Sequence, residues 1–388
     1  MRYLCLYVIA IVLACDLMAE ISSSFMSVRK TRGSNSCWSS IPMVTTDTSS
    51  YRGLMRQGSR GTMMMAMPAH MKPRTQNVPG NLFVDEGCID CDVCRWMCPA
   101  TFARKGIKSA VIAQPATESD KLLAYAASVA CPTGSSRTRL PDPLMKKALT
   151  VFPAEIDPVN LPNVFHMGFH SSPSYGATSY FIKRTIVTAD GQSKAANIMI
   201  DVPRFNSRLA NIVEEEGGID KLIITHRDNF PGHEKWKERF PSLQRIIHRA
   251  DAMGTASECE VKLDSGSSWQ PSNDVRILHT PGHTAGSICI QVSTPKDTVL
   301  FTGDHLAYTT SKNGLDGFKR YNQGNIAVQS SSIRLLADDS YPFTWILPAH
   351  GRMAKFSSVG EKNAAVLAAA SAFDREDEMD GLFAVGYY

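Results

Sequence analysis

The sequence predicts two folded domains in series, a small α+β module followed by a larger α/β domain, and three observations carry that prediction. Four cysteines and a proline crowd into Cys88-Ile-Asp-Cys91-Asp-Val-Cys94-Arg-Trp-Met-Cys98-Pro99. Beyond Asn163 short apolar runs alternate with helical stretches, and several of those runs end in His or Asp. Between the two lies a stretch punctuated by Pro141, Pro143, Pro153, Pro158 and Pro162, and a proline every few residues cannot continue a helix or a central strand.

At 388 residues the chain is long enough for two or three cores, and a net charge of +4 gives no strong pull toward nucleic acid. Leu4 to Cys15, after Arg2, is a short apolar run of signal-peptide type, too short for a comfortable membrane span. From Ile21 to Gly80 there is one acidic residue, Asp47, against eight Lys and Arg, with many Ser and Met, which is transit-peptide composition. Secretion alone would place closely spaced thiols where they oxidise to disulfides. A bipartite leader over residues 1–75 removes the conflict, and Ser22-Ser-Ser-Phe25 resembles the cleavage region of proteins sent to the plastid of algae with secondary plastids. The plastid stroma is therefore the expected location, with a plastid electron donor as a candidate partner and no membrane segment in the mature form.

The cysteine spacing is that of the bacterial ferredoxin run around an iron–sulfur cubane, and no second close cysteine pair follows to make a zinc ribbon. The fourth cysteine of such a run does not serve the cluster held by the first three, so a distant thiolate is needed, and Cys131-Pro132 supplies it. Cys88, Cys91, Cys94 and Cys131 are the expected ligands of one [4Fe–4S] cluster, with Cys98 outside the set as a small buried residue or a spare thiol. Residues 81–139 resemble the small single-cluster ferredoxins, including a strand at Asn81 to Val84, a strand at Ser109 to Ala113 and a helix at Asp120 to Ala130. Residues 140–162 read as a Pro-rich linker.

In the second domain Tyr180-Phe-Ile, Asn197 to Asp201, Lys221 to Thr225, Val275 to Leu278, Ser287 to Gln291, Thr298 to Phe301 and Thr344 to Leu347 read as buried strands. Thr225-His226, Thr280-Pro-Gly-His283, Gly303-Asp304 and Pro348-Ala-His350 follow such runs directly, which places metal-ligand side chains at strand ends where a rigid sheet can aim them at one point. His248 and His279 lie in or beside apolar runs and read as structural, and His305 reads as a neighbour of the site.

The motifs Thr-His-Arg-Asp-Asn-Phe-Pro-Gly-His (225–233), Thr-Pro-Gly-His-Thr-Ala-Gly-Ser (280–287), Phe-Thr-Gly-Asp-His (301–305) and Pro-Ala-His-Gly (348–351), with the turn Ile200-Asp201-Val-Pro203, make residues 163–365 resemble a metallo-β-lactamase-fold hydrolase. That resemblance implies a four-layer αββα sandwich with one or two metal ions at one edge. It also implies a first ion held by His226, Asp228, His283 and Asp304, and a second by His233, Asp304 and His350. Asp228 stands where the family has its second His, and Gly232 replaces an Asp that would serve the second ion. Oxygen ligands suit iron or manganese better than zinc, so the set admits Zn or Fe/Mn.

The resemblance implies a hydrolase in which Asp228 or Asp304 takes a proton from water, and glyoxalase II-like thioesterases share the Pro-Gly-His-Thr-x-Gly and Gly-Asp signatures. A small-molecule thioester or related acyl substrate is the expectation. Two alternatives accompany it: a redox protein passing electrons from the cluster to a flavodiiron-like site, and a catalytically eroded, redox-sensing binding module. The chain shows no Ser-His-Asp arrangement and no phosphate-cradling glycine loop. Residues 366–388 read as the end of an Ala-rich helix and a tail.

Overall fold

In the cysteine module, the helix Glu118–Ala130 begins on a capping box: Thr117 Oγ1 accepts the Asp120 N–H while the Asp120 carboxylate accepts the Thr117 N–H. Its buried face carries Leu122, Leu123 and Tyr125, and it stops at Cys131 because Pro132 cannot extend it. The strands Leu82–Val84 and Ser136–Thr138 pair antiparallel, and Phe102–Lys105 forms a hairpin with Lys108–Val111. A short helix, Val93–Met97, carries the middle of the cysteine run.

The computed structural model describes residues 68–375 apart from 265 and 267, so the expected leader core and the acidic tail beyond Arg375 lie outside the described residues. The module starts earlier than residue 81. Arg74, buried, donates from Nη1 to the Ser109 carbonyl at 2.5 Å and from Nη2 to the Lys105 carbonyl at 2.9 Å, and Asn77 binds both Val84 and Val111. Residues 69–75 therefore belong to the fold, which corrects the leader boundary at 75.

The expected linker also shrinks. The short helix Leu144–Ala148 is followed by the strands Ala154–Asp157 and Leu161–His166, which form one edge of a seven-stranded sheet. Pro158 sits in the turn between them, and Pro162 stands beside a register shift at Glu155 to Asp157, where a missing N–H breaks no ladder bond. The prolines are compatible with an edge hairpin, so residues 154–162 belong to the sandwich.

That sheet continues through Tyr180–Ile182, Ile198–Ile200, Lys221–Ile223 and Gln244–His248 to Val261–Leu263. A second, six-stranded sheet runs Ser268–Ser272, Val275–His279, Ile288–Ser293, Thr298–Gly303, Trp345–Pro348 and Ala354–Lys355. Ile200, Ile223 and Ile246 of the first sheet pack on Ile277, Ile290, Phe301 and Leu347 of the second, all removed from water, which is the dominant favourable term in folding. The outer face of the second sheet (Leu278, Leu300, Ile346) is covered by the helices Ile326–Leu335 and Val359–Asp374 through Ile333, Val366 and Phe373. The helices Ser207–Glu215 and His233–Arg239 bury Leu209, Val213 and Trp236 on the other side. The result is a four-layer αββα sandwich. Its last helix runs to Asp374, so the domain extends past the expected boundary at 365. No helix of the described residues is long and apolar enough to cross a membrane.

Candidate metal centres

The sulfurs of Cys88, Cys91, Cys94 and Cys131 line one small cavity, closed by Val84, Ile89 and Val93; Cys98 is buried outside that lining. The described cysteines form no disulfide. Asp90 and Asp92 turn the loop with φ of 64° and 66°, a left-handed conformation that Asp tolerates better than bulkier residues. The Asp90 carboxylate is held by Arg95 and Arg104, and Arg95 Nε donates to Asp92 at 2.5 Å. Burial, followed by the neighbouring sulfurs of Cys131 and Cys94, pushes the Cys91 thiol well up, and burial pushes Cys94 up to about 12. Four cysteines gathered on one void, with Cys94 buried and the other three half-buried, are a fitting iron site, since coordination to a metal removes the thiol proton. When bound, a cubane supplies one-electron chemistry.

The second constellation forms at one edge of the sandwich. His226 follows the strand Lys221–Ile223, His283 follows Val275–His279, Asp304 follows Thr298–Gly303 and His350 follows Trp345–Pro348. Two strand ends converge here because Gly303, at φ +53°, has no Cβ; one built there would lie 2.6 Å from Thr225 Oγ1. The His226 and His283 rings stand nearly perpendicular with centroids 5.0 Å apart. His226 Nε2 lies 3.5 Å from Asp304 Oδ2 and 3.8 Å from Asp228 Oδ2, and His283 Nε2 lies 3.8 Å from Asp304 Oδ2. A tetrahedral ion with bonds of about 2.1 Å has ligand atoms about 3.4 Å apart, so these separations fit one. His226, Asp228 and His283 offer ligand atoms all within 4.8 Å of one another.

Buried ring nitrogens without a hydrogen-bond partner reinforce the fit: His226 Nε2, both nitrogens of His283, and His350 Nε2. Buried polar atoms are rarely left unmet, and a cation is what this set would satisfy. His350 Nδ1 lies 2.8 Å and 2.9 Å from the two Asp304 oxygens. The orientation of His226 is set from behind, where buried Asp201 accepts the Thr225 N–H, the Thr225 hydroxyl and the Asn229 amide, and Thr225 Oγ1 meets His226 Nδ1 at 3.0 Å. Gln323 Nε2 donates to Asp228 Oδ2 at 2.5 Å.

Electrostatics follow from this crowding. Burial alone would raise the Asp304 carboxyl, but the charged rings of His350 and His226 beside it hold it well below the usual carboxylate range. Burial opposes charge on His226, yet Asp304, backed by Asp201 and Asp228, lifts it to about 9. Burial pushes His283 down to about 4 and His305 beside it to about 3, so both stay neutral.

His233 is not part of it. The residues Phe230-Pro-Gly232 turn the chain so that His233 begins the helix His233–Arg239, where its Nδ1 accepts from Arg245 Nη1 at 2.9 Å and its Nε2 meets Thr255 Oγ1 at 3.2 Å. A guanidinium on one ring nitrogen and a hydroxyl on the other leave no lone pair for an ion. The expected second set of His233, Asp304 and His350 is therefore not brought together: the described residues bring donor atoms of His226, Asp228 and His283 within 4.8 Å of one another, with Asp304 beside the two histidines and His350 adjoining. His248 and His279 are structural, stacked at 4.1 Å and away from these donors.

The two centres face each other. A cavity of about 950 Å³ is lined by Asp228, His283, Asp304 and His350 on one side and by Cys91, Asp92 and Phe102 on the other. Arg352 Nε donates to Asp92 Oδ2 at 3.3 Å, and Trp96 packs on His166 at 5.2 Å. His166 Nε2 meets His170 Nε2 at 2.9 Å, and His170 Nδ1 donates to the Gly176 carbonyl at 2.7 Å. Gly176, at φ +87°, has no side chain because one would lie 3.1 Å from Cys91 Sγ. Sequence reading missed His166, His170, Gly176 and Arg352. The position of His166 at the end of an apolar strand was the available signal, and it was obscured by the prolines around it.

Substituting His283→Ala is expected to lower metal uptake at least about a hundredfold, a loss of the order a removed ligand causes, while His233→Ala leaves uptake unchanged; metal titration of both variants checks this. Because His226 must lose a proton for its nitrogen to bind, apparent metal affinity is expected to rise at least about tenfold per pH unit from pH about 7 up to about 9 and to flatten above. Calorimetry across pH reads that slope, and a flat profile would contradict the assignment.

Residues 84–138 match the family model described as the 4Fe-4S single cluster domain of Ferredoxin I. No curated protein matches the chain in a sequence comparison. Among solved structures it is similar to the DIM-1 metallo-β-lactamase at 14% identity, covering 54% of this chain and 94% of that one with a TM-score of 0.39. It is also similar to the FIM-1 metallo-β-lactamase from Pseudomonas aeruginosa in its mono-zinc form (17% identity, 51% and 93% covered, TM-score 0.36). A third is a metallo-β-lactamase from Hirschia baltica (15% identity, 48% and 93% covered, TM-score 0.35). The fold assignment rests on the strand order and the four layers themselves. The chain thus joins a segment that matches the single-cluster 4Fe-4S ferredoxin domain to a four-layer αββα sandwich.

Proposed function

We propose that the protein is a metal-dependent hydrolase acting on a thioester or related acyl bond of a small molecule. The observation that carries this reading is the donor cluster His226, Asp228 and His283, with Asp304 beside it, of which Asp228, His283 and Asp304 line a cavity large enough for a whole substrate. A divalent ion bound there supplies a Lewis acid and acidifies water toward neutrality. The residues do the rest. Asp228, with a side chain 37% exposed in the cavity, receives the proton of the attacking water, and Gln323 holds its Oδ2 in place. Asp304, both of whose oxygens face His350, keeps its charge and its orientation. Water adds to the acyl carbon, the carbon–sulfur bond breaks, the thiol leaves with a proton, and a carboxylate and a proton remain.

One observation favours a second reading, in which the cluster passes electrons to an iron or manganese ion in the same site. Cys91 abuts Gly176, and the backbone of its neighbour Tyr175 meets His350. The backbone of two consecutive residues, Tyr175 and Gly176, therefore lies between Cys91 and a residue adjoining the metal donors. The leader composition supports a plastid stromal location, where thiols remain available for a cluster.

Anaerobic purification followed by metal analysis and assay on a thioester panel separates the readings. The hydrolase reading expects about four irons per chain plus one non-cluster metal, with turnover that persists when the cluster is held in one redox state. Turnover of oxygen or another electron acceptor with no acyl hydrolysis overturns it in favour of electron transfer, and an unfilled His site with neither activity points to an eroded binding module.

A further inference from the structure

The cavity between the domains is not a feature of the sandwich alone, since the ferredoxin domain builds one of its walls. Phe102 and Arg104 open the hairpin that follows the cysteine run, and both line the cavity together with Ala103 between them. Across from them the sandwich contributes Tyr308, Arg320 and Tyr321. The charges around the cavity are unequally matched. Arg104 binds Asp90 through one terminal nitrogen, but its Nε is buried with no hydrogen-bond partner. Arg352 binds Asp92, and Arg95 binds both Asp90 and Asp92 beside the cysteines. Arg320 has no carboxylate partner among the described residues; its guanidinium lies 5.7 Å from the Tyr321 ring centre. Asp228 and Asp304 belong to the metal site. What remains facing the cavity is a largely apolar surface with the Tyr308 and Tyr321 rings and an unneutralised cation at Arg320.

We propose that the ferredoxin domain is a working wall of the ligand site, and that the cavity takes a molecule with a flat apolar body and an anionic group, held between Ala103 and Arg104 of that domain and Arg320 and Tyr321 of the sandwich. The proposal deepens the hydrolase reading by naming the substrate class, and it rests on that reading for the reaction but not for the binding. A guanidinium recognises carboxylate, sulfonate or phosphate by charge-assisted hydrogen bonds, and an aromatic ring beside it takes the planar part of the same ligand. A volume of about 950 Å³ lies at the upper end of small-molecule sites, enough for a ligand that reaches from the hairpin to the metal donors.

The test uses the full chain with cluster and metal loaded and reads binding rather than turnover. Anilinonaphthalene sulfonate, a flat apolar anion that fluoresces when bound, is compared with its uncharged parent anilinonaphthalene. Ala103→Trp fills the cavity from the ferredoxin wall, and Thr310→Trp fills it from the sandwich wall should the first variant lose its cluster absorbance. Either plug is expected to weaken both probes at least about tenfold. Arg320→Ala is expected to weaken the anion about tenfold, the scale of one charge-assisted contact, and to leave the uncharged probe within about twofold. Unchanged binding of the anion in a plugged variant that keeps its cluster absorbance and metal overturns the proposal, as does an equal loss of both probes in Arg320→Ala. Failure of the hydrolase reading would appear separately, as absent thioester turnover with the probe pattern intact.

Discussion

The buried carboxylate of Asp304 is the constraint around which the site is organised. A carboxylate removed from water is costly unless paired, and here three histidines from three other strand-end loops converge on it: His226, His283 and His350. His350 and His226 beside it offset the cost of burying that charge. Each loop reaches its place because it leaves a strand of a tightly packed sandwich, so the rigidity of the two sheets is what makes the donors meet. Gly303 and Thr225 show how close the fit is, since the loop bearing Asp304 passes where no side chain would be tolerated.

The same edge of the sandwich receives the ferredoxin domain. The Gly176 backbone lies against Cys91, Arg352 pairs with Asp92, and Trp96 packs on the His166–His170 pair. All three contacts involve residues inside or between the cysteine run, so the cluster loop itself, rather than the remote face of the module, docks beside the metal donors. The fusion therefore has a structural consequence beyond tethering two activities on one chain. Residues of the cysteine run and the metal-donor side chains Asp228, His283 and Asp304 line one space.

Much of this was legible in the sequence, and the reason is spacing. The cysteine run needs no tertiary information to be read, and Cys131 followed because the fourth cysteine of such a run does not serve the cluster of the first three and a distant thiolate is needed. Strand ends carrying His226, His283, Asp304 and His350 were readable because buried strands are short apolar runs with a chemical marker at one end. His233 was misplaced because a motif was extended across two extra residues: the turn at Pro231-Gly232 rotates the helix start so that its ring answers to Arg245 and Thr255. The first strands of the sandwich were mistaken for a linker because Pro158 and Pro162 occupy a turn and a bulge, positions that only the pairing partner reveals. The shared cavity was invisible for a deeper reason. It is made by residues some 260 positions apart in the chain, Asp92 and Arg352 among them, and no local pattern encodes such a meeting.

The central claim is that one metal ion sits across a common cavity from the cluster. Electron paramagnetic resonance of the cluster in its one-electron-reduced state tests it most directly, with the second site filled by diamagnetic zinc in one sample and paramagnetic manganese in the other. Spin relaxation of the cluster should be faster with manganese, and the enhancement should vanish in His283→Ala protein that no longer takes up the ion. Identical relaxation in the zinc and manganese samples, both shown to contain one bound ion per chain, would contradict the account.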